Sequence, residues 1–405
     1  MGTALLDVKA IEVRRGMGVV LSDHDLTVEE GQLVALTGKN GAGKSTLLEA
    51  AAGLLALEKG EVRHGGEVVV DHEGRRARSK LSFGLTLQKN GMLGSEIVNE
   101  HLIMAASMKG SAVPAAPFLD AFQLAHRAND QVAHLSQGQA RKVAVLAGIL
   151  PAFASKTPGL VLLDEPAAGL DDDAVETLCE WLVALRMQGH GLMICSHDPR
   201  ILATATHLHD VNLGTTVEQS TSSSAEKVIV EATKSTRFTP RRFGQQIHFR
   251  TLLWLNQNAM AALLTLGILL ALGDFMTAMD PMQRLGVLFA PALAAGLCGE
   301  PLVAAAREER TAAWWRAVAG GAPHAGWLPL VLGGAITLIS TICLQQPIEM
   351  LEILVGAALC AGSWHAIGWA QRSTNRLARP QAVFIGLLTP VLILPYALII
   401  DWLTR

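Results

Sequence analysis

Residues 38–46 read Gly-Lys-Asn-Gly-Ala-Gly-Lys-Ser-Thr and follow a short apolar run at residues 32–37. A strand that enters a glycine-rich turn and continues as a helix presents backbone N–H groups and a positive dipole end to an anion. Gly41 and Gly43 allow the tight turn, and Lys44 supplies a positive charge for the β- and γ-phosphates. The hydroxyl of Ser45 can bind Mg²⁺. The sequence therefore predicts a nucleoside triphosphate site; the alternative is a glycine turn before an ordinary helix.

Length and composition indicate more than one domain and a membrane part. A chain of 405 residues exceeds what a single core usually holds. Only 17 % of the residues are charged, and the mean hydropathy of +0.33 is high for a purely soluble enzyme. The net charge of −3 gives no basic footprint for nucleic acid, so we expect no nucleic-acid partner. The five cysteines form no CxxC, which favours reduced, buried thiols over disulfides or a zinc site.

The first half alternates between apolar β-like runs and helical patterns. Strands are predicted at residues 32–37, 81–87, 160–163 and 192–195, and helices at residues 44–54, 138–150 and 172–187. This alternation predicts a mostly parallel sheet covered by helices over residues 1–213. The start of the chain lacks a basic-then-apolar leader pattern, so we expect this half in the cytoplasm. Residues 214–243 are assigned to a polar and then basic linker, of which residues 215–225 are typical of a flexible tether. The basic, aromatic stretch from Arg237 to Trp254 favours a helix on the cytoplasmic membrane surface, with a solvated linker as the alternative.

The second half, residues 244–405, has the composition of an all-α transmembrane domain. Five spans are predicted, at residues 251–273, 285–306, 325–344, 353–371 and 382–400. Two of the intervening segments are rich in arginine: one carries Arg307, Arg310 and Arg316, and the other carries Arg372, Arg376 and Arg379. By the positive-inside rule both segments are cytoplasmic, and the C-terminus lies outside. The expected location is therefore the cytoplasmic (inner) membrane.

Further polar residues follow predicted strands in the first half. Asp164 and Glu165 end the strand at residues 160–163, where one carboxylate can hold the Mg²⁺ hydration shell and the other can polarise the attacking water. His197 follows the next strand and can contact the γ-phosphate and that water. Gln88 follows another strand and can reach the metal and the water. Residues 135–139, Leu-Ser-Gln-Gly-Gln, open a helix whose free N–H groups can also bind phosphate.

Taken in the order in which they occur along the chain, the motifs resemble those of the ATP-binding domain of an ABC transporter, a P-loop NTPase of the α/β class. The resemblance covers about half of the chain: Walker A at residues 38–46, the Q-loop Gln88, the signature at residues 135–139, Walker B at residues 160–165, the D-loop Asp171 and the switch His197. It implies ATP and Mg²⁺ as ligands, nucleotide contacts by Gly38, Asn40, Gly41, Ala42, Gly43, Lys44, Ser45, Thr46 and Gln88, metal binding by Ser45, Gln88 and Asp164, and catalysis by Glu165, His197 and Lys44. It also implies a second such domain as partner, whose nucleotide Ser136, Gly138 and Gln139 would contact.

The ATPase half is also similar to the ATP-binding subunit of the cytochrome c biogenesis haem exporter. The similarity rests on residues 13–16, 36–38, 52–55 and the Leu-Ser-x-Gly-Gln signature. One feature departs from the superfamily, because no aromatic residue precedes the P-loop to stack on adenine; Arg14 or Arg15 could stack instead, so we expect GTP to compete well with ATP.

Two functions compete on the sequence alone. The first is a half-transporter that uses ATP to export an apolar or amphipathic cargo, with haem-related cargo as the narrower reading. The second is a membrane-anchored ATPase that does assembly work on a partner protein without moving cargo. Residues 307–320 are amphipathic and resemble the helices that transmit motion in type-2 ABC exporters; an interfacial anchor is the alternative. Glu300, the one carboxylate within a predicted span, either has a functional role or pairs near the membrane surface.

Overall fold

The computed structural model describes residues 3–109, 111–220, 233–234, 256–272, 281–301, 303, 310–321, 324–373, 385 and 389. The chain forms two compact units. The first comprises Met1–Pro240 together with Ala306–Ala322, and the second comprises Arg241–Ala305 together with Pro323–Arg405. The segment that the sequence places between two membrane spans is thus part of the same unit as the N-terminal half.

The centre of the first unit is a mostly parallel sheet, as the sequence predicts. Its strands in the described residues are β3 (Leu33–Thr37), β6 (Phe83–Thr86), β8 (Leu160–Asp164), β9 (Gly191–Cys195), β10 (His207–Asp210) and β11 (Thr215–Glu218). They lie in the order β11-β10-β3-β9-β8-β6, and only the edge strand β11 runs antiparallel to its neighbour. Strands β6, β8 and β9 are buried along their whole length, since helices cover both faces of a parallel sheet.

A second, antiparallel sheet packs beside the first and was not predicted. It contains β1 (Ala4–Arg15), β2 (Gly18–Glu29), β4 (Lys59–His64) and β5 (Glu67–Asp71), in the order β2-β1-β4-β5. Register shifts along the β1–β2 pair break the strict alternation of buried and exposed residues. Because a regular period of two is the usual signal for such strands, the sequence pattern hides them.

Helices connect the strands and place the polar residues. Those of the first unit are α1 (Lys44–Ala51), α2 (Val98–Ala106), α3 (Ala116–Ala121), α4 (Gln137–Phe153), α5 (Asp172–Met187) and α6 (Pro199–Thr204), and a two-residue strand β7 (Ser111–Ala112) pairs with β12 (Thr233–Lys234). Helix α4 approaches β6 at backbone distance: a Cβ on Gly84 would lie 1.8 Å from the carbonyl oxygen of Gly148. This contact brings the start of α4 close to the carboxyl ends of the parallel strands.

The second unit is helical in its described residues. It contains α7 (Asn256–Ala271), α8 (Pro281–Leu288), α9 (Ala290–Leu297), α11 (Leu328–Cys343) and α12 (Met350–Ser373); α10 (Thr311–Ala319) belongs to the first unit. Small residues let these helices approach closely, and a Cβ on Gly356 would lie 1.9 Å from Oγ1 of Thr337. The hydroxyl of Thr337 donates to the carbonyl of Gly333, which satisfies a polar group within its own helix.

The five predicted spans are not confirmed. Among the described residues one helix, at Met350–Ala370, is long and apolar enough to cross a membrane, and helices of this kind also occur in soluble cores. Helices α7 and α11 coincide with predicted spans but are shorter, and the fifth span lies outside the described residues apart from 385 and 389. The region of the second span forms two helices, α8 and α9, with Pro291 at the start of the latter. Proline cannot donate the backbone hydrogen bond of a continuous helix.

Glu300 has a structural partner in the second unit. It is buried, and its Oε1 accepts the backbone N–H of Ala325 at 2.6 Å. Asn258 plays a similar part by donating to the carbonyls of Ala295 at 2.7 Å and Gly299 at 3.1 Å. These buried polar contacts hold chain segments of the second unit together.

Candidate nucleotide site

The glycine-rich loop joins β3 to α1 and has the backbone of an anion cradle. Gly38, Gly41 and Gly43 have φ angles of 132°, 85° and 99°, which residues with a side chain adopt only at a cost. Gly43 caps α1 without a side-chain hydrogen bond, so the first N–H groups of the helix are left for a ligand. Nζ of Lys44 donates to the carbonyl oxygens of Gly38 at 2.8 Å and Lys39 at 3.2 Å, which holds the ammonium over the loop.

Asp164 lies beside this loop, and one of its two carboxylate oxygens has no hydrogen-bond partner among the described residues. Oγ of Ser45 donates to Oδ1 of Asp164 at 3.1 Å, and the carboxylate is fully buried at the end of β8. Within the described chain, Oδ2 has no hydrogen-bond partner. Burial raises the pKa of Asp164, and the negative charge of Glu165 acts in the same direction, while the hydrogen bond from Ser45 and the nearby Cys195 thiol oppose the shift. A buried carboxylate with a free oxygen next to a hydroxyl is the donor set that Mg²⁺ prefers, so the residues present fit this metal.

Glu165 and His197 come together across two adjacent strands. Because β8 and β9 are parallel neighbours, the residues that follow them meet at one edge of the sheet. Oε1 of Glu165 lies 3.4 Å from Nε2 of His197, and the backbone N–H of Glu165 donates to the carbonyl of Cys195 at 2.9 Å. Glu165 has a φ of 48°, in the left-handed region that a glutamate rarely adopts. Strained backbone of this kind occurs at functional sites, where the surroundings fix the side chain.

Arg141 was missed by the sequence analysis and connects the ends of β6 and β8. It is buried in α4, and its guanidinium donates to the carbonyl oxygens of Leu87 at 2.6 Å, of Glu165 at 2.8 Å and of Asp164. Burial lowers its pKa, although an arginine stays charged under all ordinary conditions. Gln88, which directly follows Leu87, is exposed. The signal that could have identified it is an Arg-Lys pair two residues after the signature, at the start of a helix that is apolar from Val143 onward.

The signature and the D-loop form a separate cluster. Ser136 caps α4, with its Oγ accepting from Gln139 N at 3.3 Å while Gln139 Oε1 accepts from Ser136 N at 3.0 Å. A Cβ on Gly138 would lie 2.8 Å from the carbonyl oxygen of Gly169, so the signature touches the first residue of the D-loop, Gly169-Leu170-Asp171. Asp171 caps α5 and accepts from Lys142 Nζ at 2.5 Å; this hydrogen bond lowers the pKa of Asp171.

No hydrogen bond or ion pair in the described part of the chain joins Ser136, Gly138 or Gln139 to residues 38–46. The predicted site residues thus fall into two groups. The loop residues Gly38, Asn40, Gly41, Ala42, Gly43, Lys44, Ser45 and Thr46 lie with Asp164, Glu165 and His197 around the ends of β3, β8 and β9, and the signature residues lie with Asp171.

A third feature of the first unit is the surface that binds helix α10, made by Glu49, Leu85, Gly91 and His101. Trp314 donates its Nε1–H to the carbonyl of Leu85 at 2.8 Å, packs on the backbone of Gly91, and lies with its ring centroid 5.3 Å from that of His101. We call these residues the α10-docking surface. It begins on β6, only three residues before Gln88, so it adjoins the predicted Q-loop.

Two buried carboxylates support the α10-docking surface. Glu49, in α1, accepts from Arg310 with both oxygens and from Nη2 of Arg15 at 2.5 Å. Glu96 pairs with Nδ1 of His101 and accepts the backbone N–H of Leu93 at 2.9 Å. Because Glu49 lies within the helix that follows the nucleotide loop, one helix serves both the loop and the docking surface.

A parallel sheet with a glycine-rich loop, a basic residue over that loop and two carboxylates at the end of a buried strand defines a P-loop nucleoside triphosphatase. The family model described as ABC transporter matches residues 21–168. The chain is 35% identical over 200 residues to the cytochrome c biogenesis ATP-binding export protein CcmA of Gluconobacter oxydans, covering 48% of this chain and 82% of that protein. The chain therefore belongs to the family of ABC transporter ATP-binding proteins, whose ATP-binding domains hydrolyse ATP.

Two further comparisons concern an ATP-binding/permease protein and a solved structure. The chain is 28% identical over 290 residues to the macrolide export ATP-binding/permease protein MacB of Photorhabdus laumondii, covering 68% of this chain and 44% of that protein. The dimeric bacterial ABC transporter cassette MJ0796 aligns with a TM-score of 0.43 and 20% identity, over 51% of this chain and 95% of that one.

Proposed function

We propose that this chain is an ABC half-transporter that couples ATP hydrolysis to the export of an apolar or amphipathic substrate. In this proposal residues 1–213 form the ATPase domain, residues 214–243 the linker and residues 244–405 a transmembrane domain in the cytoplasmic membrane. The similarity to MacB supports the fusion, since an alignment that covers 68% of the chain must extend beyond the ATPase half. The similarity to CcmA makes a haem-related compound the specific candidate for the cargo.

Hydrolysis would be carried out by the residues at the ends of β3, β8 and β9. Lys44 and the N–H groups of α1 bind the phosphates, and Glu165 accepts the proton of the attacking water while His197 orients that water. Ser45, Asp164 and Gln88 would hold Mg²⁺, which supplies charge neutralisation on the phosphates. The free Oδ2 of Asp164 is the observation that supports a metal there.

A second ATPase domain would complete the site. Ser136, Gly138 and Gln139 make no hydrogen bond or ion pair to their own nucleotide loop in the described chain, yet Ser136 caps a helix whose N-terminus can bind an anion. We therefore assign these residues to the nucleotide of a partner domain, in a homodimer or with a related half-transporter. The D-loop residue Asp171 would lie at the same interface, where Lys142 keeps it charged.

The observation that supports the transport proposal is that helix α10 packs on the first unit. Residues 306–322 lie in sequence between two apolar segments of the second unit, but they belong to the first unit. Trp314 binds the last strand before Gln88, and Arg310 binds the helix that follows the nucleotide loop. A helix that contacts both neighbours of the nucleotide site is placed to respond when that site closes.

The test compares three variants of helix α10 in reconstituted vesicles. Trp314→Phe removes the N–H but keeps a smaller aromatic ring, Trp314→Ala removes both, and Trp315→Ala removes the fully buried neighbouring ring. We expect normal ATP binding in all three variants. The ratio of cargo moved to ATP hydrolysed should be lower in Trp314→Ala than in Trp314→Phe. Trp327→Ala, at a half-exposed tryptophan outside α10, is the control. Unchanged transport in Trp314→Ala and Trp315→Ala would remove the coupling role, and ATPase activity stimulated only by a partner protein would contradict export.

A further inference from the structure

A cavity of about 170 Å³ lies within the first unit between the end of helix α10, the end of α1 and residues 76–79. Three arginines line it, Arg76, Arg78 and Arg316, and no aspartate or glutamate of the described chain does. Most of the remaining lining is small or apolar. The cavity therefore collects positive charge, no acidic side chain of the described chain lines it, and Arg76 and Arg316 are also partly open to solvent.

Arg76 and Arg316 line the same cavity, and the positive charge of Arg76 acts on Arg316. Arg316 donates its Nε–H to the carbonyl of Ala312 in its own helix, and neither arginine forms an ion pair with any residue that the structure describes. Burial, and then the positive charge of Arg76, lower the pKa of Arg316. By contrast, Arg200 and Arg310 in the same unit are paired with carboxylates. Two close like charges repel each other, so an anion between them would be favoured.

The other polar groups of the cavity are held in place. Nη2 of Arg78 donates to the carbonyl of Met108 at 3.2 Å, and its stem packs on Gly320, where an added Cβ would lie 3.2 Å from its Cδ. His64 is buried and donates its Nε2–H to the carbonyl of Ala51 at 2.8 Å, so its Nδ1 carries a lone pair. That Nδ1 has no hydrogen-bond partner among the described residues. An acidic P–OH could donate to it while the unprotonated oxygens accept from the arginines.

We propose that this cavity binds a phosphate-bearing anion and that the anion fastens helix α10 to the body of the first unit. The cavity is smaller than the roughly 300–1,000 Å³ of sites for drug-sized ligands, so it suits a single phosphate group. The source is either free phosphate or the head group of an anionic phospholipid. Arg316 comes from α10 and Arg76 from the segment after β5, so a bound anion ties two parts of the unit together. Binding does not depend on whether the protein transports cargo.

The test uses the full chain in nanodiscs of neutral phosphatidylcholine, with a non-hydrolysable ATP analogue at saturation to block the nucleotide loop. Inorganic phosphate is titrated by calorimetry. We expect one further phosphate to bind wild-type protein, with affinity weakened about tenfold or more in Arg76→Gln/Arg316→Gln. Arg316→Lys, which keeps the charge, should lose less. Arg75→Gln is the matched control, since Arg75 is an exposed arginine like Arg76 and Arg316 but does not line the cavity.

Repeating the titration with phosphatidylglycerol in the nanodiscs identifies the source. If wild-type protein binds phosphate more weakly in phosphatidylglycerol nanodiscs than in phosphatidylcholine nanodiscs, and the double variant shows no such difference, the site binds lipid head groups. If wild-type protein binds phosphate equally well in both bilayers, the site binds free phosphate. The proposal is overturned if wild-type protein binds no additional phosphate, or if the double variant binds as well as wild type. Binding of the ATP analogue by each variant serves as the check on folding.

Discussion

The nucleotide site and the α10-docking surface use charged side chains in opposite ways. At the nucleotide site the Asp164 carboxylate is buried with Oδ2 unbonded among the described residues. At the docking surface both buried carboxylates are satisfied, Glu49 by two arginines and Glu96 by His101 and a backbone N–H. Leaving a buried polar atom unbonded costs about 1–3 kcal/mol, so a fold retains it where a ligand completes it. A satisfied cluster instead stabilises a contact within the protein.

This contrast predicts that changes at the nucleotide site alter chemistry with little effect on stability. Glu165→Gln keeps the shape of the side chain but cannot accept a proton. We expect ATP hydrolysis to fall about 100-fold or more, the range over which general bases contribute, while ATP is still bound and the thermal midpoint is nearly unchanged. Steady-state phosphate release and nucleotide retention measure the two effects.

Glu176→Gln is the control, since this glutamate is exposed on α5. Near-normal turnover in Glu165→Gln would overturn the assignment of the base. Retained ATP together with a dimer on size-exclusion chromatography would support the shared site.

The docking surface should respond in the reverse manner. Glu49→Gln removes the charge between Arg15 and Arg310, and because both arginines are partly exposed we expect a loss of about 1–2 kcal/mol with ATP binding retained. A double-mutant cycle with Arg310→Gln isolates the pair, and thermal unfolding measures it. If the two substitutions are additive, Glu49 and Arg310 do not interact, and the contrast with Asp164 fails.

Buried histidines extend the comparison to pH. Burial lowers the pKa of four histidines in the first unit: to about 4 for His64, His190 and His209, and below its usual value for His24. Nε2 of His24 and Nε2 of His209 lie 2.7 Å apart, so only one of these two nitrogen atoms can carry a proton at a time. Because the folded pKa lies below the unfolded value, the unfolded chain binds more protons, and stability is lost as the pH falls from about 6.5 towards 4.

Each such histidine contributes a slope of up to about 1.4 kcal/mol per pH unit within that window. Replacing His209 by glutamine should flatten the dependence of the thermal midpoint on pH between 7 and 5 relative to wild type. His207→Gln, at a partly exposed neighbour on β10, provides the comparison. A variant curve parallel to that of wild type would show that His209 is not held neutral.

The same contrast explains which residues could be recognised from the sequence. The loop, Asp164, Glu165 and Asp171 stand at the ends of elements whose pattern is local, and β3, β8, β9 and α5 form close to the expected positions. Arg141 acts on Leu87, 54 residues away, and Glu49 acts on Arg310, 261 residues away. An arginine or a glutamate in a helix carries no local sign of such a partner.

The smallest expected effect is on the preference of the nucleotide site for adenine over guanine. It concerns Arg15, which could act either at the nucleotide site or at the α10-docking surface. Arg15 is one of the two candidates for stacking on adenine. Its guanidinium binds the carboxylate of Glu49, a residue of the α10-docking surface, at 2.5 Å. An arginine held in this way is less available to stack, so we expect GTP to compete with ATP within about fivefold, consistent with a missing contact of about 1 kcal/mol. Arg15→Tyr supplies a ring while Arg310 still neutralises Glu49, and should shift the preference towards ATP. Arg75→Tyr, at an exposed arginine that is no candidate for stacking, is the matched control, and a strong preference for ATP in wild-type hydrolysis would show that another group already recognises the base.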